Sequence, residues 1–397
     1  MQLCDGTHLT YCTNIHAGEN WPDLFSGLKA FLPRLKARMS PQHPMGVGLR
    51  LGARAASQLL EKNRLKAFAQ WLREEGLYVF TLNGFPYGDF HGTAVKAKVH
   101  EPDWIRTSRL EYTLQLARIL AELLPAGMEG GISTSPLSYR HWYAPADRPA
   151  CMRAAARNLL QAIAFLRVLE SRTGCYIHLD IEPEPDGLLE TPREVLAFFH
   201  DILLPQAVAH FHALPPEQAR SLAFRYLCLC YDVCHLAVAF EPQTASLEAI
   251  SRAGLRIGKF QLSAALEAGP QQDATALLAW DEPTYLHQVV GRDEAGALHR
   301  FRDLRDAGPA LEQKQGTTWR SHFHVPIFRE ELGKLRATQA DLREVLAAQR
   351  KHRYSRHLEV ETYTWDVLPE AFKTDVLTSV SRELEWVKEQ YEKNRST

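Results

Sequence analysis

The stretch CYIHLDIEPEPD at 175–186 decides how this chain is read. A short apolar run, 175–181, ends in the acid Glu182, and Pro183 follows it. Proline disfavours helical geometry in the residue before it, so Glu182 is expected to be extended and the strand to stop there. Two other stretches repeat the pattern. YLCLCYDVCH at 226–235 ends in Asp232, with His235 three residues on, and HLEVETYTW at 357–365 places Glu361 after Leu358 and Val360. Acids at the polar ends of apolar runs are what a barrel enzyme needs to hold a divalent cation at the carboxyl ends of its parallel strands.

Working outward, strand-like and helix-like segments alternate along the whole chain. Strand-like runs fall at 8–16, 45–51, 77–85, 130–135, 175–181, 226–232, 256–263 and 358–362, with helical patterns between them. The eight units predict an α/β fold, a (β/α)8 TIM barrel occupying 1–397 as a single domain. The runs lack clean polar–apolar alternation, as expected when both sheet faces are buried. A doubly wound open sheet is the alternative, and the absence of a GxGxxG turn lowers it. One region breaks the rhythm. LHQVV at 286–290 and ALHRF at 297–301 read as a hairpin, and WRSHFHVPIF at 319–328 as an extended segment. Residues 281–335 are thus expected to form an insertion over the C-terminal mouth, between strands 7 and 8 of the barrel.

Composition narrows the function classes. With 397 residues, 45% of them hydrophobic, the chain can bury a large core. Its 46 Lys and Arg balance 47 Asp and Glu, a net charge of -1, which argues against nucleic acid or an anionic membrane as partner. No apolar run approaches the roughly 18 residues needed to span a bilayer. The first residues show no basic stretch followed by an apolar one, so a cytoplasmic location is expected. Seven cysteines, an odd number, suggest reduced thiols. Cys228, Cys230 and Cys234 cluster with His235, but alternation within an apolar strand suits small hydrophobes better than a soft-metal site.

The remaining strand ends supply the other candidates. Asp180 shares parity with Glu182, while Glu184 in the acidic EPEPD run is expected to face solvent. Asp232 has a plain alternative role as the N-cap of the next helix. His322 and His324 share one face of an extended segment, and such a pair can bind Zn, Mn or Co; polar packing under a lid is the alternative. Gln261 offers a neutral oxygen at the end of the seventh run, and Lys259 has the same parity. The metal ligands are therefore sought among Glu182, Asp232, Gln261, His324 and Glu361, with Glu182, Glu361 and His235 as catalytic groups. His16, Asn83, His91, Lys259 and His322 are candidates for holding substrate, with Trp21, Phe85 and Trp365 as apolar walls. No GxSxG elbow, Walker motif or HExxH is present.

The order Glu182, Asp232-x-x-His235, Glu361 resembles the ligand order of xylose isomerase-like barrels, a superfamily of sugar isomerases, epimerases and endonuclease IV-type enzymes. More narrowly, LTYCTNIHAGENW (9–21), TLNGFPYGDFHG (81–92), YDVCH (231–235), HFHVPIF (322–328) and VETYTWDVLP (360–369) are similar to the metabolite-traffic protein EboE family, over nearly the whole chain. The resemblance implies one divalent metal ion held by Glu182, Asp232, a seventh-strand or insertion residue, and Glu361. Epimerases of the superfamily usually carry His on the seventh strand; here the matching place holds Gln261, with His324 further along, so the third ligand is open between them. The genes of this family accompany a cyclase-like enzyme that makes sugar-derived rings, which implies a sugar-like or cyclitol substrate in a biosynthetic or metabolite-traffic pathway. A homo-oligomer or pathway-protein partners are compatible with that setting. The expected activity is a metal-dependent isomerase or epimerase. The alternatives are a metal-dependent phosphodiesterase of the endonuclease IV type and a metabolite-binding barrel without turnover.

Overall fold

The computed structural model describes residues 1–88, 95–313 and 316–392, so His91 lies outside the described residues. Fourteen strands follow in chain order: β1 (His8–Tyr11), β2 (Met45–Arg50), β3 (Leu77–Asn83), β4 (Gly130–Thr134), β5 (Ile177–Ile181), β6 (Leu227–Asp232), β7 (Ile257–Leu262), β8 (Leu266–Ala268), β9 (Val289–Arg292), β10 (Leu298–Phe301), β11 (Thr318–Ser321), β12 (Glu331–Leu332), β13 (Leu335–Ala337) and β14 (His357–Val360). Eight of them pair in parallel in the order β1-β14-β7-β6-β5-β4-β3-β2, and a parallel bridge between Cys12 and Gly48 joins the two ends. This is the expected (β/α)8 barrel, with β14 as its eighth strand.

Helices cover the outside for ordinary reasons. The helix Trp21–Met39 starts at Asn20, whose side chain accepts from the Asp23 amide, and has Pro22 in its first turn. It buries Leu24, Leu28, Leu32 and Leu35, a stripe at helical spacing. The long helix Arg148–Thr173 stops at Gly174, a left-handed residue with φ 74° that closes the last turn.

The barrel interior departs from the expectation of unpatterned strands. In β5, β6 and β14 the residues alternate strictly although all are buried. Ile177, Leu179 and Ile181, Leu227, Leu229 and Tyr231, and Leu358 and Val360 join the main apolar core. His178 and Asp180, Cys228, Cys230 and Asp232, and His357 and Glu359 take the opposite parity, which points into the lumen. The period-two signal is present because this lumen is polar rather than filled by branched aliphatics. Small residues make room for it: a Cβ on Gly48 would overlap the Glu359 carboxylate, and one on Gly258 would overlap Asp180.

A second, antiparallel sheet, ordered β10-β9-β11-β8-β13-β12, accompanies the barrel. It extends from Leu266 to Ala337, wider than the expected 281–335 insertion. The reason is β8, which follows β7 almost directly and takes a central place between β11 and β13. The sheet is tied back to the strand ends by the Val325 amide on the Ala264 carbonyl at 3.0 Å and the Thr338 amide on that of Ala265 at 2.9 Å. Among the described residues no helix is long and apolar enough to cross a membrane.

Candidate metal centre

Three backbone devices bring the carboxylates together. The Glu182 amide donates to the Thr134 carbonyl at 2.9 Å and the Glu361 amide to that of Leu262 at 3.1 Å. Both residues therefore continue the parallel ladders past β5 and β14 and keep lumen parity. Asp232 ends β6 and caps the next helix, as its plain reading suggested, but only one of its oxygens is used in doing so. Oδ1 accepts from the His235 amide at 2.9 Å and the Ser263 hydroxyl at 2.8 Å, while Oδ2 has no hydrogen-bond partner. Glu182, Asp232 and Glu361 are 2%, 1% and 4% exposed, and one oxygen of each lies within 4.8 Å of the others.

The electrostatics of this group are unbalanced. The ion-pair neighbours of the three carboxylates among the described residues are imidazoles, with no lysine or arginine. Burial pushes the Asp232 carboxyl up to about 7 against the opposing hydrogen bonds from His235 and Ser263. Burial, then the charges of Asp232 and Glu359, pushes Glu361 up to about 8. Burial, then Glu361 and Asp232, raises Glu182 well above the ordinary carboxylate range. Glu361 is oriented by two amides: Asn14 Nδ2 at 2.9 Å and Asn83 Nδ2 at 2.8 Å both donate to its Oε1. Glu182 Oε2 has no donor.

Beside the carboxylates stand three imidazoles, His235, His322 and His324, all within 3% exposure. Each Nδ1 lies against an oxygen that can only accept: the Pro183 carbonyl at 2.9 Å, the Gln288 amide oxygen at 2.8 Å and the Glu361 carbonyl at 2.9 Å. The Gln288 amide is itself set by its Nε2, which donates to the Pro185 carbonyl at 2.9 Å. Every ring thus carries its proton on Nδ1 and presents a bare Nε2. Those Nε2 atoms face one another, at 3.3 Å for His322–His324 and 3.4 Å for His324–His235. Opposed lone pairs repel unless a proton or a cation sits between them. Burial disfavours the proton, holding His324 down at about 3 and His235 and His322 well below their ordinary value. His324 Nε2 is 3.9 Å from Asp232 Oδ2, so the oxygen-rich and nitrogen-rich groups meet at Asp232. Both donor sets, with unpartnered Asp232 Oδ2 and Glu182 Oε2, fit divalent cations.

The other sequence candidates divide. Asn83, His235, His322 and Phe85 line the cavity at this site. Lys259 does not: it lies below in the lumen, its Nζ 2.6 Å from Glu359 and 3.0 Å from Ser133 Oγ. Burial opposes its charge, but the Glu359 carboxylate outweighs that and leaves its pKa above the ordinary value. Strand parity is right for Lys259, and depth is wrong, because it sits two residues before Gln261. Gln261 is fully buried with neither amide atom bonded, and it is not among the cavity's lining residues. His16 turns away from the site, its Nε2 2.8 Å from the Tyr11 hydroxyl and its ring against Phe31 of the first helix. Trp21 packs on Phe25 and Phe68, and neither it nor Trp365 lines the cavity.

Sequence reasoning missed Glu184 and His100. Glu184 is 7% exposed rather than solvent-facing, because its amide bonds to the Leu189 carbonyl and the Gly187 amide to its own, folding the turn over the mouth. Its carboxylate lies 3.6 Å from His100 Nε2, and an oxygen reaches within 4.8 Å of His235 and His322 nitrogens. Above them the Val95 and Lys96 amides bond to the Thr284 carbonyl, and Lys96 Nζ pairs with Asp303 at 2.6 Å. The cavity among these described residues holds about 60 Å³, below the ~300 Å³ at which small-molecule sites begin.

No family model matches the chain, and no curated protein sequence matches it. Solved structures do. L-ribulose 3-epimerase aligns over 98% of this chain and 95% of its own, with TM-score 0.53 and 12% identity. The IolI protein with a bound zinc atom aligns over 98% and 100%, with TM-score 0.51 and 12% identity. D-allulose 3-epimerase from Methylomonas sp. gives the same coverage, TM-score 0.51 and 12% identity. Identity this low speaks for the fold and not for the reaction. Taken with the eight-stranded parallel barrel, these likenesses show that the chain shares the (β/α)8 TIM-barrel fold of these proteins.

Proposed function

We propose that this protein is a divalent-metal-dependent isomerase or epimerase of a polyhydroxylated small molecule. The observation that carries the reading is the cluster Glu182, Asp232 and Glu361, buried together with no lysine or arginine in ion-pair contact among the described residues, the deeper Lys259 offsetting their charge only in part. A divalent cation held there would act as a Lewis acid on adjacent oxygens of a hydroxy-ketone and ease loss of the intervening carbon-bound proton. Glu182, with Oε2 free of donors, takes that proton; Glu361, held by Asn14 and Asn83, keeps a fixed orientation and exchanges a proton on the other face. His235, His322 and His324 would hold a second cation through their Nε2 atoms, a set that suits zinc. The 3.9 Å between His324 Nε2 and Asp232 Oδ2 favours the His324 nitrogen over the Gln261 amide oxygen as the further ligand beside Asp232. The loop at 95–100 and the segment around Thr284 exclude water once substrate is in place.

The motif resemblance supports the finer reading, a protein of EboE type handling a sugar-like or cyclitol metabolite. The epimerases among the similar structures favour the same substrate class. The phosphodiester alternative is weakened by the cavity itself. Glu182, Glu184 and Glu361 line it, and its one lysine, Lys96, is tied to Asp303. The test is deuterium exchange from solvent into a bound hydroxy-ketone on metal-loaded protein. Exchange lost in Glu182→Gln supports the reading; tight binding with no exchange in the wild type contradicts it and leaves a binding barrel.

A further inference from the structure

The opposite, N-terminal end of the barrel carries a second cavity, of about 580 Å³, bounded by Gln2–His8, the turn at 126–129 and the turn at 353–357. Its volume is in the range of small-molecule sites. His357 lines it while being fully buried, with the Glu129 backbone beside its ring and no side chain hydrogen-bonded to either ring nitrogen among the described residues. His8 stands beside it across the β1–β14 ladder, with Nδ1 2.8 Å from the Tyr78 hydroxyl.

The rim carries two arginines and two acids, and among the described residues only the arginines are left without partners. Arg353 ends the helix Gln339–His352 in the left-handed region, φ 53°, and the turn that follows sets Arg353 and Arg356 on the same cavity. Both are exposed, and neither guanidinium makes a hydrogen bond or ion pair among the described residues. The two carboxylates at the rim are already engaged. Asp5 accepts from the Thr7 amide at 3.0 Å and the Tyr391 hydroxyl at 2.8 Å, and Glu129 pairs with Arg256 at 3.1 Å. Two unspent guanidinium forks at a cavity lined by a buried imidazole that no side chain bonds form a receptor for a compact anion.

We propose that this cavity binds a small dianionic metabolite, a phosphomonoester or a dicarboxylate, with Arg353 and Arg356 supplying charge, His357 a hydrogen bond at the buried floor and His8 one from its half-buried ring. His357 and Glu361 lie at opposite ends of β14, so the site is separate from the metal centre. Its ligand does not take part in the chemistry there.

The test titrates inorganic phosphate and succinate, each at constant ionic strength set with chloride, into the full chain and follows heat of binding and melting temperature. A saturable response to either probe, weakened about tenfold or more in Arg353→Ala/Arg356→Ala and partly kept in the double lysine variant, supports the proposal. Phosphate alone selects a phosphomonoester and succinate alone a dicarboxylate. Both arginines are exposed, so the double variant keeps its fold and its metal content. No saturable response to either probe at millimolar concentration, or equal binding by the alanine variant, overturns the proposal.

Discussion

Two layers of one lumen bury carboxylates and treat them in opposite ways. In the lower layer Glu359 faces Lys259 at 2.6 Å, Ser133 takes a second bond from the ammonium, and Gly48 leaves the space they need. In the upper layer Glu182, Asp232 and Glu361 crowd together with imidazoles for company. The sequence can place an ammonium in this barrel where charge must be neutralised. Its omission one layer higher leaves carboxylates whose charge the deeper Lys259 offsets only in part. The lower layer is built for stability, and the upper layer trades stability for function.

The largest expected effect separates the layers by activity. Glu361→Gln keeps the Asn14 and Asn83 contacts near neutral shape but removes the charge. It should lower isotope exchange by about 10²–10⁴-fold at unchanged folding stability or better. A variant that loses stability instead would put the upper layer in the same class as the lower. Conversely, Lys259→Met strands Glu359 and should cost about 3–5 kcal/mol in urea unfolding, while Lys259→Met/Glu359→Leu recovers most of it. Failure of the double variant to recover would mean that the pair does more than hold the barrel together.

The pH dependence sharpens the contrast further. Asp232 and Glu361 have folded-state values of about 7 and about 8, above their ordinary 3.8 and 4.5. Groups raised in this way hold protons in the folded state that the unfolded chain gives up. Their contribution is therefore complete below about pH 4 and is lost as pH rises through 7 to 8. Metal-free protein should lose stability steadily across that window, and added divalent cation should stabilise it most at the alkaline end. Stability of the metal-free protein that is flat or rising over the window would contradict the uncompensated cluster. The smallest effect is local. Gln288→Ala frees Nδ1 of His322 and should weaken zinc binding about 10–100-fold without altering the carboxylates' affinity for magnesium.

Much of this is legible in the sequence, for reasons that also set its limits. The strand–helix rhythm and the acids after 181, 231 and 360 come from local pattern, so the barrel and its three carboxylates can be read directly. Parity tells which side of a strand a residue takes but not its depth, so Lys259 passes for a site residue when it belongs to the layer beneath. Glu184 hides in an acidic run that looks like surface, and only the turn back to Leu189 buries it. His100 has no strand-end signal, since it comes from a short turn, Lys96–His100, within the loop after β3. The opposed Nε2 atoms depend on three carbonyl-type acceptors from distant segments, which no single stretch reveals. His16 follows the first strand as expected, yet the turn Thr13–Ile15 swings it outward onto Phe31.

Elemental analysis of the purified chain, wild type beside Glu182→Gln and Lys259→Met, tests the central claim most directly. At least one divalent ion per wild-type chain is expected, lost in Glu182→Gln and kept in folded Lys259→Met. A wild-type chain that binds no divalent metal after equilibration with zinc, manganese, cobalt or magnesium, or a Glu182→Gln chain with undiminished content, would contradict it.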